Sequence, residues 1–114
     1  MNHLVPLDAA RAAVAAHADR PATAILHDSP DLRLVVFRLA PGQAVPAHRS
    51  TSTVMLTVLS GRGSFAGEGV DGPQERVCQP GDVVTYAPNE LHDLRATDSE
   101  FVVLATITPR PGSR

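Results

Sequence analysis

Three residues of this chain, His48, Ser50 and His92, are of types that do chemistry in a small pocket. An imidazole titrates at about 6.5, so two of them brought together can exchange protons with a ligand near neutral pH. In the neutral form each can instead give a nitrogen lone pair to a metal ion. Ser50, two residues beyond His48, adds a hydroxyl, and Val54 in the strand that follows can supply an aliphatic wall. Arg38 and Arg49 are candidates for pairing with an anionic ligand. Cys78 is the only cysteine, and its alternating surroundings in Arg76-Val77-Cys78-Gln79 predict a small buried side chain rather than a nucleophile. His3, His17, His27 and Glu90 are expected to face water.

Composition removes several classes of function. All ten cations are arginine, so a Schiff-base lysine, pyridoxal phosphate catalysis and a P-loop are excluded. Those arginines are scattered and the net charge is −2, which argues against nucleic acid, where phosphates call for clustered cations. One thiol can make neither an internal disulfide nor a cysteine-rich zinc site, and it fits a reducing cytoplasm. The alanine-rich stretch at 12–18 follows no basic region and is flanked by Asp8, Arg11 and His17. A signal peptide is therefore not expected, and no apolar stretch approaches the roughly 20 residues of a membrane span. A soluble, cytoplasmic protein is expected.

The elements that must position these residues change character at Pro21. Before it, residues 7–18 predict one short helix, with Asp8 as N-cap and Asp19-Arg20-Pro21 as the stop. Residues 1–20 are thus an N-terminal segment and 21–114 a separate β-domain. After Pro21, short runs rich in Val, Ile, Leu and Thr alternate with Gly, Pro, Asp and Asn clusters. Strands are expected at 22–27, 32–40, 53–60, 64–66, 75–78, 83–87, 91–97 and 101–108. Turns this frequent predict an all-β antiparallel sandwich or small barrel. Pro41-Gly42 and Pro80-Gly81 carry the type II turn signature. Val54, Leu56 and Val58 share one face of their strand, with Met55 and Leu59 on the other. A strand apolar on both faces needs two covers, and a second copy of the chain is the expected outer one.

From Gly42 onward the chain resembles the cupin superfamily. Gly42 is followed after five residues by His48, and Gly61 falls at the closing glycine of the first cupin motif. Ser50 stands where that motif has its second histidine and Val54 where it has its glutamate. Gly81-Asp82 opens the second motif and His92 takes its histidine position. Ala87 replaces the proline, Asn89 the glycine, and Ala96 the final asparagine; Asn89 is a reasonable substitute because asparagine also tolerates positive φ.

The resemblance implies an antiparallel double-stranded β-helix, the jelly-roll cupin barrel, with a short N-terminal helix ahead of it. It also implies a site inside the barrel where three histidines and a carboxylate hold a divalent transition metal. Only His48 and His92 remain of those four ligands, so tight metal binding is not expected and no cofactor is firmly implied. Cys78, Glu90 or a bound substrate would have to complete a metal site. The expected function is binding of a small organic molecule in a cavity lined by His48, Ser50, Val54, His92 and Arg38, in a homodimer, with neither nucleic acid nor membrane as partner. Two alternatives stand beside it. One is a metal-dependent cupin enzyme of dioxygenase or isomerase type using His48, His92 and an unrecognised ligand. The other is a sensory or stability module without chemistry of its own.

Overall fold

A computed structural model describes residues 1–112. One helix, α1 (Pro6–Ala12), precedes nine strands: β1 (Ala22–Asp28), β2 (Arg33–Leu39), β3 (Ala44–His48), β4 (Thr53–Ser60), β5 (Gly63–Gly67), β6 (Gln74–Cys78), β7 (Val83–Tyr86), β8 (His92–Ala96) and β9 (Phe101–Thr108). They form two antiparallel sheets, ordered β1-β2-β9-β4-β7 and β3-β8-β5-β6, the double-stranded β-helix expected from the sequence. Among the described residues, no helix is long and apolar enough to cross a membrane.

Alternation builds the core. Val54, Leu56 and Val58 on β4 point between the sheets with Leu39, Phe65, Leu94, Phe101 and Val103. Each such side chain contributes about 1.5–3 kcal/mol on burial. In the middle of the larger sheet, Phe101, Val102 and Val103 are all 0% exposed, so β9 is buried on both faces. Its outer cover comes from the chain itself, because Leu7, Ala9 and Ala10 of α1 pack on Val36 and Val102 together with Ala24, Leu26 and Leu59. Leu59, expected to need another sheet or a second subunit over it, packs half-buried against this cluster, whereas Met55 stays 37% exposed.

The helix is shorter than the alanine run suggested. It begins after Val5 with Pro6 in its first turn, and Asp8 lies inside that turn instead of capping it. It ends at Ala12, where Ala13 turns extended. Arg38 on β2 supplies the reason: its guanidinium donates to the carbonyls of Arg11 (3.3 Å) and Ala13 (2.9 Å). Those carbonyls would otherwise stay unpaired at a helix C-terminus, and a cation there also suits the helix dipole. Gln43 then holds Ala18 O at 3.2 Å and draws the following residues along the barrel. A helix of seven residues is marginal alone, so it forms because it is docked.

Strand β3 is the element that sequence patterning missed. It sits at a sheet edge, most of its residues are exposed, and Pro46 lies within it. An edge strand tolerates proline because one side of its ladder faces no partner. Between β4 and β5 the chain changes sheets at Gly61, whose φ is 77° and where an added Cβ would lie 1.6 Å from Glu100 O. No other residue fits that corner.

Candidate functional site

The site begins at the join of β3 and β8, where His48 and His92 are cross-strand partners. Simple alternation would not have put both rings inside. Val45 pairs with Leu94 and faces the core, so an unbroken β3 would send Ala47 inward and His48 out. A bulge between Val45 and His48 inserts one extra residue and returns His48 to the inner face. The rings then meet edge to face, with centroids 4.2 Å apart and planes at 61°.

Each ring is anchored in the same way. His48 Nδ1 lies 2.9 Å from Pro46 O, and His92 Nδ1 lies 3.0 Å from Glu90 O. A carbonyl only accepts, so both Nδ1 atoms carry hydrogen and donate. In the neutral ring, Nε2 is then the lone-pair nitrogen. His92 is buried while His48 is exposed at the cavity mouth. Burial pushes the His92 pKa below its ordinary value and the nearby His48 adds to that, against an opposing pull from Glu90 O and the Glu90 and Asp93 carboxylates. His92 is therefore neutral at pH 7.

Behind His92 stands Tyr86, the chain's only tyrosine, with ring centroids 4.8 Å apart. Its hydroxyl donates to Ala66 O at 2.8 Å, and burial raises its pKa to about 12. Its place on β7 opposite Val54 follows from alternation, but its contact with His92 has no signature in the sequence.

In front of the two imidazoles a cavity of about 390 Å³ opens between the sheets. Phe37, Val45, Leu56, Leu94 and Ile107 make it largely aliphatic, and Val54 and Ser50 also line it. Ser50 Oγ accepts from Ser52 N–H at 3.1 Å, and Ser50 O takes Asn89 N–H at 2.6 Å. Asn89 has φ of 66°, the left-handed conformation anticipated for it. Ser52, which the sequence did not single out, is buried and donates to Pro109 O, tying this loop to the C-terminal segment that places Pro111 at the rim.

Of the five residues expected to line the pocket, four meet there and Arg38 does not. Arg38 alternates to the outer face of β2, where it clamps α1. Arg49 does reach the wall, but its guanidinium is paired with Glu68 and also donates to Asn89 O at 2.7 Å. Glu68 in turn accepts from Leu91 N–H at 2.7 Å; that bond first, and Arg49 second, hold its carboxyl below the usual range.

Among the described residues no group of three His, Cys, Asp or Glu side chains converges. Cys78 is buried in the core, its thiol pKa raised by burial and by Asp82, and Glu90 accepts from Ala87 N–H at 3.0 Å. Neither lines the cavity. The donors present, two imidazoles and a hydroxyl, do not fit a divalent metal held by the chain alone.

Comparison with known proteins agrees with this architecture. The cupin domain family matches residues 35–108. No curated protein sequence matches the chain. Among solved structures, KdgF from Halomonas sp. superposes with a TM-score of 0.75 at 20% identity, over 86% of this chain and 87% of that one. An RmlC-like cupin protein from Desulfovibrio desulfuricans superposes at 0.72 with 28% identity, over 86% and 91%. The DMSP lyase DddQ from Ruegeria pomeroyi gives 0.71 at 24%, over 93% of this chain and 54% of that one. With the family match spanning most of the sequence and two antiparallel sheets closing around paired histidines, the chain belongs to the cupin family.

Proposed function

We propose that this cupin binds a small organic molecule in the barrel cavity, against His48 and His92, without depending on a tightly held metal. One observation carries the reading: a cavity of about 390 Å³, aliphatic on its walls and polar only around the two imidazoles and the Ser50 side. Small-molecule sites have this size and makeup. Paired imidazoles can also move protons on a bound ligand, so acid–base chemistry is within reach of the same arrangement.

Filling the cavity tests the reading. Leu56→Trp places an indole among Phe37, Leu94 and Ile107. Parent protein should bind a neutral apolar fluorophore such as N-phenyl-1-naphthylamine with saturation, and the filled variant should not. Equal binding by a folded Leu56→Trp variant would place the ligand elsewhere and end the proposal.

A metal-dependent enzyme of dioxygenase or isomerase type is the second reading, favoured by the two Nε2 atoms, which make no hydrogen bond among the described residues. It needs a third ligand. KdgF and the DMSP lyase share the fold but, at their identities, do not carry an activity across.

The proposal includes a second copy of the chain on the outer face of the larger sheet. Two register rows cross that face without a charge, Leu34–Thr106–Met55–Thr85 and Leu104–Thr57–Val83. A charge-free patch can meet itself across a two-fold axis with no like-charge conflict.

A further inference from the structure

We infer that the cavity selects an uncharged molecule with an apolar body, a phenol or an apolar alcohol, whose hydroxyl donates a hydrogen bond to an Nε2 of the His48–His92 pair. The inference rests on the reading of this cavity as a ligand site and adds the chemical class of the ligand.

Backbone carbonyls decide the polarity of the site. Pro46 O and Glu90 O each take the Nδ1 hydrogen of one ring, at 2.9 and 3.0 Å. Each neutral imidazole then has only a lone pair left to give. Two acceptors stand side by side, their rings 4.2 Å apart. Around them the walls are Phe37, Val45, Leu56, Leu94 and Ile107, which offer no polar group. Ser50 Oγ accepts from Ser52 N–H and donates to no acceptor among the described residues, so its hydrogen can go to a ligand oxygen.

An anion meets the opposite of what it needs. A carboxylate or phosphate is a pure acceptor and would face two lone pairs. Arg49 is the only charged residue on the wall among the described residues, and it is held by Glu68 and Asn89 O. Recruiting its guanidinium for an anion would mean breaking those contacts. A hydroxyl-bearing ligand needs no such rearrangement. Its O–H donates to an Nε2, its oxygen accepts from Ser50, and its body displaces water from the aliphatic walls.

Three probes of similar shape separate the possibilities: para-tert-butylphenol, para-tert-butylanisole and para-tert-butylbenzoate, titrated by calorimetry at neutral pH. The phenol should bind best, the anisole about 3–10-fold more weakly for one lost hydrogen bond, and the benzoate weakest. Replacing both acceptors, His48→Phe with His92→Phe, should bring the phenol down to the anisole while leaving the anisole affinity nearly unchanged. Imidazole nitrogen shifts of the parent give a reading that needs no variant: both rings should report hydrogen on Nδ1, and the phenol should move the Nε2 signals.

Benzoate binding as tightly as phenol would overturn the inference while leaving the cavity reading intact. So would Nε2-protonated rings, or equal affinity for phenol and anisole. Failure of all three probes to bind would overturn the cavity reading, and the inference with it.

Discussion

His48 and His92 face each other across β3 and β8 because a bulge takes up one extra residue before His48. Pro46 O and Glu90 O, each two residues before its histidine, hold the two rings in matching tautomers. The bulge sets position and the carbonyls set proton placement, so the chemistry of the pair is fixed by backbone and not by neighbouring side chains. Deleting Ala47 should make the pairing regular and keep His48 inward opposite His92, now two residues after Val45, so both rings should still respond to a ligand. Perturbation of only the His92 nitrogen shifts on ligand addition would show instead that the bulge, and not register alone, places the His48 ring.

The pH dependence of stability follows from His92. Its pKa in the folded protein lies below 6.5, chiefly through burial, while the unfolded chain titrates at the ordinary value. Between those two values the unfolded state binds more protons than the folded one, so stability rises with pH there. The contribution is at its best above 6.5, falls as pH drops toward the folded-state value, and levels off below it. Urea midpoints across this range should show the slope in the parent and lose it in His92→Phe. A slope that persists in the variant would assign it to another group.

Much of the fold could be read from sequence because alternation and turn residues act locally. β4 and β9 fall where their patterns put them, and the Gly42 and Asn89 conformations follow from the residues themselves. The failures share one cause, contacts distant in sequence. Arg38 alternates outward and is taken by α1, a partner that no strand pattern reveals. The helix stops early for the same reason. Strand β3 has no apolar alternation to announce it, since it is an exposed edge bearing a proline and a bulge. Motif spacing brings His48 and His92 together, but the carbonyl anchors, the tyrosine behind His92 and the Arg49–Glu68 pair are not legible in it.

Gly63 on β5 offers a test of packing. A Cβ there would lie 2.3 Å from two ring carbons of Phe101 and 2.5 Å from Arg95 O. Phe101 is fully buried and packs against Phe65 with ring centroids 5.6 Å apart, so its ring has little room to withdraw. Gly63→Ala should cost about 1–3 kcal/mol by overpacking, read as a lower denaturant midpoint at unchanged slope. Phe101→Leu in the same chain should recover part of that loss. Simple addition of the two penalties would show that the clash is with Arg95 O instead.

The proposed self-association has a direct test in Met55, which is 37% exposed in the middle of the charge-free rows. Met55→Glu sets two carboxylates against each other across a two-fold contact, and like charges in such a contact cost several kcal/mol. Sedimentation should find the parent dimeric and the variant monomeric, both with the same β-rich circular dichroism. A monomeric parent would remove the second copy from the proposal.

The last prediction concerns metal. Ser50 and Val54 line the same cavity as His48 and His92, at the two positions where the cupin resemblance implies the missing ligands. Ser50→His with Val54→Glu should therefore add a nitrogen and a carboxylate to the two imidazoles and complete a four-donor set. Val54 is only 5% exposed, so the new carboxylate enters an apolar space and carries a cost while no ion pairs with it. The metal-free double variant should melt below the parent. Adding zinc or nickel should raise its melting temperature, with a gain of about 2.7 kcal/mol when metal stands at a hundred times its Kd. The parent, with two imidazoles alone, should respond far less under the same conditions. Neither single variant should match the double, because each supplies one donor of the pair. Stoichiometric metal in the unmodified protein, lost on His48→Ala, would reveal a ligand beyond those identified and put the metal-dependent enzyme first.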